Sequence, residues 1–207
     1  MNTIMYIKGS PRTERSHSRQ IARAFISALQ SKDPELRVDE RDIFTMNLPS
    51  FDGLTIKGKY NIMHGREYTP AELEAWSAVE AIIEDFKSVD AYVFAVPMWN
   101  LGLPYRLKHY IDIVTQPTYT FGINENGYFG MLGDKKAFVA YSSGGVFPDE
   151  GNPLETWNFQ SSYLRTWFSF VGITKVQEVF SRGMLMDGGP QAKEQAIALA
   201  ERIAVDF

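Results

Sequence analysis

The chain contains no cysteine. Disulfides, thiolate metal sites and cysteine nucleophiles are therefore excluded outright. Histidine is scarce: His17, His64 and His109 lie far apart and no H-E-x-x-H pair occurs, so no metal centre is expected. There is no basic run, and the formal net charge is −4, which argues against nucleic acid or an anionic membrane surface as the main partner. The longest apolar run, Ala91 to Trp99, is too short to span a bilayer and contains Pro97. The opening MNTIMYIKGSP lacks the basic and apolar regions of a signal peptide. These absences together lead us to expect a soluble, cytoplasmic protein. Three nucleotide or hydrolase signatures are missing too: the Walker loop, the G-x-G-x-x-G fingerprint and the G-x-S-x-G elbow. The acids Asp33, Glu35, Asp39, Glu40 and Asp42 read as a solvated cluster at a strand edge, not as a catalytic pair.

What is present is a chain with enough apolar residues, 44%, to build a core. Its periodicity alternates. Ile4 to Ile7 is a short apolar strand run, and Ser18 to Gln30 carries Ile21, Ala22, Phe25, Ile26 and Leu29 at helical spacing. LRVDERD (36–42) reads as a second strand, and Phe44 to Thr69 gives mixed signals. TPAELEAW opens a helix, with Thr69 as N-cap, Pro70 at the first helical position and Glu72 three residues after the cap. The apolar face expected for it is Leu73, Trp76, Val79, Ile83 and Phe86. DAYVFAVP is apolar nearly throughout, as a strand buried on both faces should be. A helix with Leu103, Leu107, Tyr110, Ile111 and Val114 follows, then NENG (124–127) as a hairpin turn. KKAFVAYSSGG is a fourth strand with its exit, and Trp157, Leu164, Trp167, Phe168 and Val171 mark another helix. TKVQEVFSRG is a fifth strand, and Ala192 to Val205 a last helix. Five strands alternating with five helical patterns predict an α/β fold: a doubly wound, five-stranded parallel sheet with helices on both faces, 1–207 forming one domain.

In such a sheet ligands bind outside the carboxyl ends of the strands. The exits of the first, third and fourth strands are GSPRTERSHS, PMWNLGLP and SSGGVF, and all three fall on that edge. The first runs into a helix N-terminus, where free N–H groups and the serines Ser10, Ser16 and Ser18 suit a phosphate, with His17 beside them. Ser16 or Ser18 as an ordinary helix cap accounts for the same residues. In the second, Met98 and Trp99 offer polarisable apolar surface, and Asn100 offers a donor and an acceptor for the edge of a heterocycle. Core packing with a turn asparagine is the alternative. The third, Ser142-Ser143-Gly144-Gly145, exposes backbone N–H groups that favour an anion, or is simply a flexible strand exit. Arg66 could meet a phosphate, though a solvated surface arginine explains it equally. A phosphate clamp, aromatic surface and amide donors without an evident acid, base or nucleophile suggest that a cofactor carries the chemistry.

The segments SPRTERSHS, PMWNLGLPYRLKHYID, TYTFGINENGYFGMLGDKKA and YSSGGVF, in this order and spacing, resemble the FMN-dependent NADH-azoreductases, also described as NADH:quinone oxidoreductases. That family has the flavodoxin-like fold. The resemblance implies that Ser10, Ser16, His17 and Ser18 hold the FMN phosphate. Pro97, Met98, Trp99, Asn100 and Leu101 would run along the isoalloxazine ring, and Ser142, Ser143, Gly144 and Gly145 would cover its pyrimidine edge. It implies a homodimer with FMN at the interface, Phe121 and Trp167 being aromatics of the substrate pocket. It further implies NADH or NADPH as donor, and quinone or azo compounds as acceptors in two-electron, ping-pong hydride transfer. An electron-carrier module without substrate reduction of its own is the alternative. The chain departs from the family where Pro-Met-Tyr-Asn-Phe is usual, having Trp99 and Leu101, and where Arg is common, having Ser143. These departures bear on substrate range more than on cofactor binding.

Overall fold

A computed structural model describes residues 1–148 and 153–207 of the chain. Strands β1 (Thr3–Lys8), β2 (Arg37–Asp42), β3 (Ala91–Pro97), β6 (Lys136–Ser142) and β7 (Lys175–Ser181) form one sheet in the order β2-β1-β3-β6-β7. Every neighbouring pair in it is parallel. Strands β4 (Phe121–Asn124) and β5 (Gly127–Gly130) make a separate antiparallel hairpin. Its turn is the NENG predicted from sequence, with Gly127 at φ 105° and the Asn124 side chain accepting from the Asn126 N–H at 2.8 Å.

Helices α1 (His17–Lys32), α2 (Gly53–Met63), α3 (Pro70–Lys87), α4 (Tyr105–Val114), α5 (Phe159–Val171) and α6 (Gly189–Asp206) flank the sheet. Alternation along each central strand divides the core in two. On one face Met5, Ile7, Tyr92, Phe94, Val96 and Val139 pack under α3, α4 and α5. On the other, Ile4, Tyr6, Val93, Ala95, Phe138 and Ala140 pack under α1 and α6. Phe25 of α1 stacks on Phe138 of β6 at 3.8 Å between ring centroids, fixing that helix over the middle of the sheet. The chain passes from β1 outward to β2, then back across to β3, so the connections diverge between β1 and β3.

The capping box at α3 is present: the Thr69 hydroxyl accepts from the Glu72 N–H at 3.2 Å, and the Glu72 carboxylate accepts from the Thr69 N–H at 2.8 Å. Three expectations need correcting. The Phe44–Thr69 stretch holds a sixth helix, α2, capped by Asp52, whose carboxylate accepts from the Leu54 and Thr55 N–H groups. Leu73 is exposed, so the apolar buried face of α3 begins at Trp76, after buried Glu72. Trp157 lies outside α5, in a short 3₁₀ turn (Pro153–Trp157), and is exposed.

Candidate functional site

The β1 exit is held close to β3. The Gly9 N–H donates to the Ala95 carbonyl at 2.9 Å, and a Cβ at Gly9 would lie 2.6 Å from that same oxygen, so no side chain fits there. The chain then loops through Ser10 to Ser16, which caps α1 by accepting from the Arg19 N–H. The N–H groups of His17 and Ser18, in the first turn, have no place in the intrahelical ladder. Arg19 organises the loop from beneath. It is 4% exposed, and its guanidinium donates to the carbonyls of Ser10 (3.2 Å) and Arg12 (3.3 Å) and to the Asp42 carboxylate at the end of β2 (3.3 Å). With those carbonyls turned inward to Arg19, the loop faces the cavity with Ser10, Pro11, Arg12, Arg15, Ser16 and His17. His17 Nδ1 is buried without a partner among the described residues. Burial first, then the charges of Lys193 and Arg12, push the His17 pKa below its usual value.

The β3 exit is a tight hairpin. Trp99 and Gly102 exchange two N–H···O bonds of 3.0 Å, with Asn100 at φ 46° and Leu101 at φ 70° between them. Positive φ at both central positions is the two-residue turn that normally takes Asn-Gly, and a leucine in the left-handed region is strained. Strain of this kind collects at ligand sites. The turn aims the Trp99 indole toward Phe44 and Tyr105, at centroid distances of 5.6 and 6.4 Å.

The β6 exit is braced from two sides. Buried Gln160 of α5 donates to the carbonyls of Val96 (2.9 Å) and Ser142 (3.4 Å), tying the ends of β3 and β6 together. The segment after β7 pairs with Ser143–Gly145: Met184 N–H donates to Ser143, Leu185 N–H to Gly144 and Gly183 N–H to Gly145. A Cβ at Gly144 would lie 2.8 Å from the Leu185 side chain, so the glycine lets that segment close in. Among the described residues the N–H groups of Gly144 and Gly145 have no protein acceptor.

These exits surround a cavity of about 380 Å³ at the carboxyl edge of β1, β3 and β6. Of the residues predicted from sequence, Ser10, Ser16, His17, Pro97, Met98, Trp99, Ser142, Ser143 and Gly144 line it. Ser18 stands one layer behind, buried, its hydroxyl 3.4 Å from that of Ser16. Asn100 and Leu101 form the turn beyond Trp99, and Gly145 sits against Phe147. The two residues predicted for the substrate pocket lie outside this cavity. Trp167 is a core residue, 4% exposed, packed with Phe86, Phe94 and Phe168, its indole N–H donating to Thr115 at 2.8 Å. Phe121 belongs to the hairpin, against Phe170 and Tyr128, and is not in this chain's cavity wall. Arg66 is exposed and also outside the cavity. Sequence reading missed the lining residues Pro11, Arg12 and Arg15 of the first loop, although that loop was singled out, and it missed Arg19, Gln160, Met184 and Leu185. The partners of the last four are distant carbonyls or the neighbouring strand exit, which no local motif announces. A second hollow of about 440 Å³, between Lys136, Lys175 and Phe207, lies at the opposite edge and holds none of the predicted residues. No group of residues able to hold a metal ion occurs among the described residues.

The model of a family with the flavodoxin-like fold matches residues 2–205. The chain is 42% identical, over all of both chains, to an FMN-dependent NADH:quinone oxidoreductase of Nitratidesulfovibrio vulgaris strain DP4. It is also 42% identical to a protein of that name from Ruegeria pomeroyi, over 93% of this chain and 94% of the relative. A crystal structure of an azoreductase from Bacillus anthracis superposes with a TM-score of 0.92 at 27% identity, covering all of both chains.

Proposed function

Because the chain belongs to this family of flavodoxin-like proteins, we propose that it is an FMN-dependent oxidoreductase that draws electrons from NADH and delivers them in pairs to quinones and azo compounds. The observation that carries this reading is the convergence of a hydroxyl-rich helix N-terminus, an aromatic hairpin tip and an amide-bearing strand exit on one cavity. Bound FMN supplies the two-electron chemistry that the side chains of the chain lack.

The residues present fit that group. The hydroxyls of Ser10 and Ser16, the first-turn N–H groups of α1 and the unpartnered Nδ1 of His17 form a donor set for a phosphate. Ser18 steadies Ser16 from behind. Burial and the neighbouring cations Lys193 and Arg12 favour the neutral ring of His17, which would meet a phosphate through a hydrogen bond. Met98 and Trp99 give a flat apolar wall, and Pro97 and Leu101 extend its ends. Asn100, in the turn beyond Trp99, would read a polar ring edge. Ser142, Ser143, Gly144 and Gly145 meet the other edge, the two glycine N–H groups stabilising negative charge that develops there. No nucleophile or general acid from the protein is needed.

The reading includes one FMN domain spanning residues 1–207 and a homodimer acting in the cytoplasm. Phe121, outside this chain's own cavity, is assigned to the wall of the second copy's pocket. Support for the dimer comes from the resemblance and from the exposed aromatics Tyr105, Trp157 and Phe159. No helix among the described residues is long and apolar enough to cross a membrane. The test is to load the purified protein with FMN and follow NADH absorbance with 1,4-benzoquinone as sole acceptor. Sustained NADH consumption is expected, and a carrier without substrate reduction of its own would not give it. Its absence, with FMN demonstrably bound, overturns the proposal.

A further inference from the structure

We propose that the hollow at the amino edge of the sheet, between the first residues of β6 and β7 and the end of α6, is a binding site for a small carboxylate with an apolar body. Lys136 and Lys175 open the two strands and stand side by side in the parallel register, about 5 Å apart at the backbone. Gln177 lies two residues on from Lys175, so its side chain leaves the same face of the sheet. Phe138, in register with Gln177, marks that face as the one covered by α1 and α6. Ile203 and Phe207, four residues apart on one side of α6, complete the apolar wall, and exposed Asp206 stands beside them. The volume of about 440 Å³ is in the range of small-molecule sites.

Positive charge gathers here beyond what the fold itself uses. Lys32, at the end of α1, donates to the Val205 carbonyl at 2.6 Å. Lys136 donates to the Phe207 carbonyl oxygen and lies 4.2 Å from the centroid of the Phe207 ring. These two lysines meet the negative end of the α6 dipole. An ammonium carries three N–H donors, so that contact leaves Lys136 with donors to spare. Lys175 and Gln177 have no side-chain partner among the described residues. Partly buried Lys136 shows the effect: burial, then the charges of Lys175 and Lys32, push its pKa below the usual value. A carboxylate set between the two ammonium groups screens that repulsion, pairs with Lys175 and accepts from the Gln177 amide. Ile203 and the Phe207 ring, which Phe25 holds edge-on at 5.0 Å, then take its apolar part. A bare inorganic anion would satisfy only the polar half. The aromatics that support a second copy belong to α4, the start of α5 and the hairpin, on the other face of the sheet, so the hollow does not depend on that contact. Nor does it depend on the flavoenzyme reading.

The test is a titration of the FMN-loaded protein with 3-phenylpropionate, followed by calorimetry and by amide NMR shifts, with 3-phenylpropionamide as the neutral counterpart. Binding is expected to shift the amides of Lys175, Gln177 and Phe207 and to leave the visible flavin bands unmoved. Lys175→Gln is expected to weaken it about tenfold. Asp206→Asn is expected to tighten it about threefold, by removing an acid that lines the site. A gain of affinity is a result that loss of folding cannot produce. Lys87→Gln, on α3 across the sheet, is expected to change nothing. The proposal is overturned if no binding is seen, or if the amide binds as well as the carboxylate. It is also overturned if the flavin bands move while the Lys175 and Phe207 amides do not, because the ligand then sits in the cofactor cavity. Equal affinity for inorganic phosphate overturns it too, since the apolar wall would contribute nothing. The flavoenzyme reading fails separately, by absent NADH consumption.

Discussion

Leu101 is the residue whose conformation most clearly opposes its own preference. At φ 70° its Cβ crowds the following carbonyl, a cost of about 1–2 kcal/mol that glycine does not incur. Leu101→Gly is therefore expected to raise the unfolding free energy by about 0.5–1 kcal/mol, and Leu101→Val, being β-branched, to lower it by about 1 kcal/mol. Urea unfolding of both variants checks the sign. Arg19 poses the opposite case, a charge kept inside because three acceptors meet it. Arg19→Met strands the carbonyls of Ser10 and Arg12 and takes from Asp42, at the end of β2, its ion-pair partner, leaving it the Phe44 N–H. Losing hydrogen bonds to a buried charged group is expected to cost about 2–3 kcal/mol. Once the loop relaxes, FMN affinity is expected to drop at least about tenfold, with Arg19→Lys in between. Unfolding curves and a flavin-fluorescence titration separate the two effects. An Arg19→Met protein with wild-type FMN affinity removes Arg19 from any account of the site.

Among the elements, α2 has an attachment that depends on pH. It crosses the start of α3 so closely that a Cβ at Gly58 would lie 2.5 Å from the Glu72 carbonyl. The Glu72 side chain is the clasp: it pairs with Lys57 of α2 at 2.8 Å, accepts from the Thr69 N–H and is reached by Asn61 at 3.4 Å. The hydrogen bond from Lys57 and then that from Thr69 lower its pKa from 4.5 to about 2. A carboxylate depressed in the folded state adds stability above its unfolded pKa and loses it as the pH falls through the folded one. Hydrogen-exchange protection of α2 amides is thus expected to decline between about pH 4.5 and 2. In Glu72→Gln it should already be reduced at pH 6 and change little across that window. The sequence made the capping half of this clasp legible, because Thr69, Pro70 and Glu72 are contiguous. It hid α2, since the apolar residues Leu54, Ile56, Tyr60 and Met63 are exposed while Thr55 and Gly58 are buried, so the hydrophobic pattern runs against the burial. The central strands were readable for the converse reason: β3 is buried on both faces, and its composition says so. The spacing that places Trp167 on α5 is likewise legible, but its direction into the core is decided by Phe86, Phe94 and Thr115, which are remote in sequence.

For the whole molecule the question is how a cofactor held at one edge of the sheet shifts the stability of the entire fold. The cavity draws on the exits of β1, β3 and β6, and those strands carry both halves of the core. A ligand there binds only when the sheet is assembled, so its binding energy adds to folding. At a free concentration one hundred times its Kd the gain is about 2.7 kcal/mol, which for a domain near this size raises Tm by about 5–10 °C. Riboflavin offers the same ring without the phosphate. If the N-terminus of α1, with Ser10, Ser16 and His17, is the phosphate seat, riboflavin at the same concentration must leave those donors unsatisfied and bind far more weakly. The expected result of thermal melts is a clear rise in Tm with FMN and a much smaller one with riboflavin. Equal shifts would mean that the aromatic and amide walls hold the flavin alone, and the β1–α1 loop would lose its assigned role. No shift with FMN at any concentration would leave the cavity without the ligand on which the proposed activity depends.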